Sequence, residues 1–271
     1  NEVITGTAGN DIINLTTGSD TVNAGSGADT INIAIDNLDN ADIVNGGAGT
    51  DTLNFTTSGS LTSTDFANVS GIETINLANG TNNTLTQTNN TLNGVSINGG
   101  TGDDTFVFND ASLSSDDTIN GGNGTDTLKI SDSANLVDLD FTNLSSIETL
   151  DLSNNTNSVT LGSEVIGAGI SNVNGGTGSD TFSLDFSNVG NFTINGGANT
   201  DTVKFTGSTS TISADTDFTP SSSFTKVERI DITSLNLNSS DNNTEFNFTD
   251  SMLTSWTGSD SSSLTLSLTS S

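Results

Sequence analysis

Aspartates recur along this chain at regular distances, each set behind a cluster of glycines. The stretch Gly46-Gly47-Ala48-Gly49-Thr50-Asp51-Thr52-Leu53-Asn54 has the form G-G-x-G-x-D-x-U-x, with U apolar. It returns, with at most one position altered, at Gly99–Val107, Gly121–Lys129, Gly175–Ser183 and Gly196–Lys204. Glycines allow backbone conformations closed to other residues, so such a turn can bring its carbonyls inward. The aspartate two positions after the last glycine adds a carboxylate. Carbonyls and carboxylates are the donors that a hard cation such as Ca²⁺ takes, roughly six to eight of them at about 2.3 to 2.6 Å. One turn offers too few oxygens, and two turns stacked one above the other supply enough.

The elements that would stack them follow from the spacing. Residues 1 to 32 are three tandem nonapeptides: Gly9, Gly18 and Gly27 hold the turn glycine, Asp11, Asp20 and Asp29 the acid, Ile13, Val22 and Ile31 the apolar position. Nine is odd and strand side chains alternate, so one nonapeptide makes one turn and one short strand, and two close a flattened coil. Asp11 is therefore expected over Asp29. Past residue 32 a longer period takes over, because the turn at Gly46 recurs at Gly121 and Gly196, 75 residues apart both times. The segment Ile72-Glu73-Thr74 likewise returns as Ile147-Glu148-Thr149 and, altered, as Val227-Glu228-Arg229. Asp29 and Asp51, Asp104 and Asp126, and Asp180 and Asp201 are 22, 22 and 21 residues apart, one coil in each case.

These periods predict an all-β chain folded as a right-handed parallel β-solenoid of the β-roll or β-helix kind. At about 20 residues per coil and about 4.8 Å per strand spacing, it is elongated, with about 13 coils over about 60 Å. The expected organisation is one continuous body over residues 1–271, with tandem nonapeptides in 1–45 and repeated modules in 46–120, 121–195 and 196–271. Its core is expected from Phe55, Ile75, Leu77, Phe106, Phe108, Ile130, Leu150, Leu152, Phe182, Leu184, Phe205, Ile230 and Ile232, which alternate with mostly polar neighbours. Helix is expected only in short pieces near residues 65–68 and 163–166.

Composition narrows the function. Lys and Arg number 4 against 33 Asp and Glu, a formal charge of -29, and only 6 of the acids are Glu. That balance excludes nucleic-acid binding, which needs Lys and Arg against phosphate. No apolar run reaches the length of a membrane span. With no His and no Cys, neither Ser-His nor Cys-His activation is possible, nor is His-based zinc hydrolysis. One Trp, no Tyr and a single Arg leave little with which to grip a sugar, so the chain reads as no enzyme. Self-repulsion at this charge opposes compaction, which makes folding conditional on the cation. The chain starts at Asn1 without a signal-peptide pattern, which reads as an excised or processed part of something longer.

The nonapeptides resemble the RTX (repeats-in-toxin) family of secreted bacterial proteins. The resemblance implies that the first six residues of each repeat form a Ca²⁺-binding turn and the last three a short strand of a parallel β-roll, with several ions per chain. It assigns side-chain ligation to Asp11, Asp20, Asp29, Asp51, Asp104, Asp126, Asp180 and Asp201. The turn backbone of the set includes Gly25, Gly27, Gly47, Gly49, Gly100, Gly102, Gly122, Gly124, Gly176, Gly178, Gly197 and Asn199, where Asn199 replaces the third glycine and tolerates the left-handed conformation. Asp42 and Asp117 lie nine residues before Asp51 and Asp126 without upstream glycines, and are read either as ligands or as turn caps. Around Asp260 the double glycine is missing and Ser262 replaces the apolar residue, which counts against a site there. Glu73, Glu148 and Glu228 are read as hydrogen-bonding a neighbouring turn rather than binding metal.

The 75-residue module resembles RTX-type surface-layer proteins more than toxin or protease tails. That resemblance implies a structural module of the bacterial cell surface, secreted unfolded through a type I channel, folding in external Ca²⁺ and self-associating into a Ca²⁺-dependent lattice. Cell-surface polysaccharide is a further candidate partner. The alternatives are an adhesin stalk or ligand-binding arm in biofilm attachment, and a folding aid for an enzyme elsewhere in a longer protein.

Overall fold

The computed structural model describes residues 1–206, 224–231 and 265–267. The expectations placed on Asp260, Ser262 and Ile232, and on most of the module at 196–271, lie outside these residues. The chain gathers into two compact units, the first comprising Asn1–Lys129, Leu139–Glu148 and Gly167–Gly169, the second Ile130–Asp138, Thr149–Ile166 and Ile170–Ser271. Both are built almost wholly from short parallel strands, the arrangement of a parallel β-roll or solenoid.

In the first unit the strands Val3–Thr5, Thr21–Ser26, Ile43–Ala48 and Val69–Ser70 lie side by side in one sheet. A second sheet runs from Ile12–Asn14 through Thr30–Ile33, Thr52–Phe55, Thr74–Asn76, Ser96–Asn98 and Thr118–Asn120 to Leu144–Ser145. The strands Ser60–Thr62, Thr84–Gln87, Thr105–Phe108 and Thr127–Ile130 form another series. Successive coils pair in parallel register, so like residues stack: Ile13, Ile31, Leu53, Ile75, Ile97, Ile119 and Leu144 form one inward column. Each is buried, because alternation turns every second side chain of a strand to the same face. The next position outward is an asparagine column, Asn14, Asn32, Asn54, Asn76, Asn98 and Asn120. Within it the Asn32, Asn54 and Asn98 amides donate to Asn14, Asn32 and Asn76 at 2.9 Å.

The second unit repeats the plan. The strands Asn135–Leu136, Ser158–Leu161, Thr181–Asp185, Thr202–Thr206, Arg229–Asp231 and Thr265–Ser267 follow one another in one sheet, and Thr149–Asp151, Asn172–Asn174, Thr193–Asn195 and Phe224–Thr225 in another series. Val159, Phe182, Val203 and Ile230 stack in register, and so do Leu161, Leu184 and Phe205, all of them buried. Every core residue expected from the alternation is buried, Ile232 apart, which is not among the described residues.

Helix is confined to one short α-helix, Ser163–Ala168, and a few 3-10 turns among the described residues. Asp138 caps the α-helix from a distance: its Oδ1 accepts from the N–H groups of Gly162, Glu164 and Val165 at 3.0, 3.1 and 3.1 Å. Residues 65–68 are turn rather than helix, bonded Asp65 N–H to Thr62 O and Ala67 N–H to Thr64 O. No helix among the described residues is long and apolar enough to cross a membrane.

Candidate metal centre

Every glycine-turn aspartate immediately precedes its strand, and the stacking of strands therefore stacks the acids. The Asp11 N–H donates to Asp29 Oδ1, the Asp29 N–H to Asp51 Oδ1 and the Asp51 N–H to Glu73 Oε2, at 2.8, 2.8 and 2.7 Å. The same ladder recurs as Asn83, Asp104, Asp126 and Glu148, with bonds of 2.7, 2.7 and 2.7 Å. It recurs once more as Asn157, Asp180, Asp201 and Glu228, with bonds of 2.8, 2.8 and 2.8 Å. The sequence spacing of 22, 22 and 21 residues is thus one coil, and each rung is a charge-assisted backbone-to-carboxylate bond. Glu73, Glu148 and Glu228 close the ladders, as a glutamate that bonds a neighbouring turn should.

Each rung uses only one carboxylate oxygen. The Oδ2 atoms of Asp20, Asp29, Asp51, Asp104, Asp126, Asp180 and Asp201 are buried without a hydrogen-bond partner, and these residues are at most 1% exposed. Buried polar atoms are almost always satisfied, and an ionised carboxylate is costly to bury unless a positive charge attends it. The N-terminal ammonium lies 3.7 Å from Asp20 Oδ1, and with Lys and Arg numbering only 4 against 33 acids the chain has few further positive charges to offer these carboxylates.

Glycine keeps the space beside the orphaned oxygen open. A Cβ on Gly46 would lie 2.8 Å from Asp51 Oδ2, and one on Gly99, Gly121 or Gly196 would lie 2.6 Å from Oδ2 of Asp104, Asp126 or Asp201. Of the predicted turn glycines, Gly25, Gly27, Gly47, Gly49, Gly100, Gly102, Gly122, Gly124, Gly176 and Gly197 all have positive φ. Gly178 does not, and is there because a side chain would run into the Asn155 carbonyl. Asn199 takes the left-handed conformation at φ 77, and its amide bonds the Thr177 carbonyl. Among the described residues no group of three or more acidic side chains is placed to hold a metal ion, so a site here would need main-chain oxygens beside its carboxylates. That donor set, with glycine clearing room for it, fits Ca²⁺.

Burial leaves a mark on the titration of these groups. Desolvation raises Asp126 to about 6, helped by the charges of Asp104 and Glu148 and opposed by the Asp104 N–H bond. Asp201 is raised to about 7, chiefly by desolvation, with Asp180 and Glu228 adding to it. Asp104 and Asp180 are raised by desolvation as well, against the hydrogen bonds from Asn83 and Asn157 that favour their charged forms.

The acids without glycine turns are placed differently. Asp42 Oδ1 accepts from the Asp20 N–H at 2.8 Å, and its Oδ2 accepts from the Asp39 N–H at 2.9 Å. Asp117 Oδ2 accepts from the Ser114 N–H at 2.7 Å and from its hydroxyl at 3.3 Å. Both have the bonding of a turn cap. Asp11, at the edge of its sheet, follows a glycine turn but likewise directs Oδ2 to a local donor, the Thr7 N–H and hydroxyl at 2.6 and 3.0 Å. Two ladder members, Asn83 and Asn157, are absent from the acid pattern. Their signal in the sequence is position alone: each stands one coil ahead of Asp104 or Asp180, 21 and 23 residues away.

A family model described as the RTX calcium-binding nonapeptide repeat matches the chain in 4 copies, over residues 1–31, 38–55 and 113–129. The matched segments contain the turns of Asp11, Asp20, Asp29, Asp51 and Asp126 and also Asp42 and Asp117. The turns of Asp104, Asp180 and Asp201 share their geometry beyond the matched segments. Comparison with curated proteins and with solved structures found no match.

Proposed function

Because the chain carries RTX calcium-binding nonapeptide repeats, and so is a Ca²⁺-binding structural module, we propose that it serves a type I-secreted surface-layer protein of a bacterium, outside the cell. The observation that carries this reading is that seven buried carboxylate oxygens lack partners, those of Asp29 and Asp51, Asp104 and Asp126, and Asp180 and Asp201 in pairs stacked one coil apart. Asp20, Asp29, Asp51, Asp104, Asp126, Asp180 and Asp201, with carbonyls of their own and adjoining turns, would hold the ions. Bound Ca²⁺ supplies the positive charge that these carboxylates otherwise lack. The residues do the rest: the backbone N–H groups fix each Oδ1, the glycines keep Oδ2 accessible, and the apolar columns lock one coil onto the next.

Folding is thereby coupled to the medium. At a formal charge of -29 the metal-free chain repels itself, and extracellular Ca²⁺ modules bind at about 10⁻⁴ to 10⁻³ M, which separates the inside of a cell from its surroundings. A chain of this kind passes a secretion channel unfolded and folds outside. The proposal extends to self-association: electron microscopy of the purified chain in millimolar Ca²⁺ should show ordered two-dimensional sheets that disperse in chelator. Monodisperse particles in Ca²⁺ would contradict the lattice and favour an adhesin stalk.

A further inference from the structure

Asn83 and Asn157 occupy ladder positions that elsewhere belong to aspartate, and the surroundings of their amides are unusual. Asn157 is 2% exposed. Its Oδ1 accepts from the Ala134 N–H at 3.0 Å, from a residue 23 positions earlier, as an aspartate Oδ1 accepts from the coil before it. Its Nδ2 then stands where an aspartate carries the orphaned Oδ2. Around that nitrogen lie the Asn155 carbonyl at 2.7 Å, Asp180 Oδ1 at 2.8 Å, the Ser153 carbonyl at 3.0 Å and the Gly175 carbonyl at 3.3 Å. Asn83, 3% exposed, repeats the donor side of the arrangement: its Nδ2 donates to Asp104 Oδ1 at 2.8 Å, the Ala78 carbonyl at 2.9 Å and the Thr81 carbonyl at 3.2 Å, while its Oδ1 is buried without a partner.

An amide nitrogen has only two hydrogens, yet it is ringed by three or four oxygens and by no other donor in these bonds. An oxygen cage of that composition, carbonyls plus one carboxylate, is what a Ca²⁺ ion asks for. Reversing the amide would turn a third kind of oxygen into the cage, so the surroundings dictate its orientation. The local sequence agrees. Counted back from the ladder residue, the glycine turn of Asp126 has Gly121, Gly122 and Gly124 at five, four and two positions, whereas Asn83 has Ala78, Asn79 and Thr81 and Asn157 has Leu152, Ser153 and Asn155. Acid and glycines are lost together in both turns, 74 residues apart.

We infer that Asn83 and Asn157 are built-in substitutes for a bound cation: the turns 78–83 and 152–157 take no Ca²⁺, and mark where each run of ion-binding turns starts. The inference rests on the Ca²⁺-binding reading above and adds to it what limits the number of ions. At a glycine turn an acceptor, Oδ2, faces a carbonyl-rich turn and a cation must stand between them. At an amide turn a donor faces the carbonyls and closes those contacts without metal, on both sides of the amide at Asn157 and on the Nδ2 side at Asn83. The ladders from Asn83 to Glu148 and from Asn157 to Glu228 are then bounded at both ends, by an asparagine at one and a glutamate at the other, with two ion-binding aspartates between.

The test is the single-atom exchange, on the whole chain with Ca²⁺ as the probe. Calorimetric titration of N157D should show at least one more Ca²⁺ per chain than the unaltered protein, and its thermal midpoint should rise more steeply with Ca²⁺. N157L, which cannot fill the cage with a donor, should lose thermal stability equally at saturating and at limiting Ca²⁺, at unchanged stoichiometry. The converse exchange D126N should fold in Ca²⁺ with at least one ion fewer. An N157D chain that binds the same number of ions as the unaltered protein overturns the inference, as does a D126N chain that keeps them all. An unaltered chain that binds no Ca²⁺ would instead overturn the reading on which it rests.

Discussion

Asp42 and Asp51 stand nine residues apart, both at most 1% exposed, and each Oδ1 receives the N–H of an acid one coil earlier at 2.8 Å. They part at the second oxygen. Asp42 Oδ2 is bonded to the Asp39 N–H, whereas Asp51 Oδ2 has no partner. The positions five, four and two before Asp51 are Gly46, Gly47 and Gly49, and before Asp42 they are Asn37, Leu38 and Asn40. Burial and ladder position alone therefore do not make an acid a metal ligand. What differs is the second oxygen, bonded to a local N–H at Asp42 and left without a partner at Asp51. The same contrast separates Asp126 from Asp117, whose Oδ2 is taken up by Ser114.

The strongest way to break this comparison is to remove a stacked pair. Replacing Asp104 and Asp126 together by Ala should raise the Ca²⁺ concentration needed for folding by at least about tenfold, the scale on which disturbed metal sites lose affinity. Replacing Asp42 and Asp117 together should leave that concentration within about twofold while lowering the thermal midpoint, because caps are lost and ligands are not. Equal shifts in Ca²⁺ demand for the two pairs, followed by circular dichroism, would erase the distinction.

Much of this was legible before any coordinates. The 18- and 22-residue spacing of Asp11, Asp29 and Asp51 fixes the coil length, and the stacking of Ile13, Ile31 and Leu53 follows from it. Alternation named the core, since inward side chains in a parallel coil have no other face to choose. The asparagine rungs were not legible, because an amide carries none of the charge by which a metal site is recognised in sequence. Whether Asp42 and Asp117 cap or coordinate could not be read either, since the answer lies in where one oxygen points. A nine-residue spacing is compatible with both.

A smaller effect concerns pH. Asp126 and Asp201, raised to about 6 and about 7 by burial, bind protons in the folded metal-free chain that the unfolded chain has released. Their stabilising contribution is thus fully present below the usual value of 3.8 and is lost as pH rises through 6 to 7. In chelator, β signal should be greatest near pH 4 and decline toward neutrality. In Ca²⁺ the trend should reverse, since ligands must be deprotonated to bind. A parallel rise with pH in both media would contradict the placement of these carboxylates.

The smallest change is the most discriminating. D51N places an NH₂ where the orphaned oxygen was, and should fold with less dependence on Ca²⁺. D42N sets the same NH₂ against the Asp39 N–H and should lose about 1 kcal/mol, the usual cost of a missing cap, at saturating and at limiting Ca²⁺ alike. Chemical denaturation of both variants at saturating and at limiting Ca²⁺ reads the difference.

The central claim is that folding waits for the ions that these turns collect. Far-ultraviolet circular dichroism at neutral pH tests it directly: in chelator the chain should be largely unstructured, and millimolar Ca²⁺ should bring up the β signal. A spectrum that does not respond to Ca²⁺ would contradict the account.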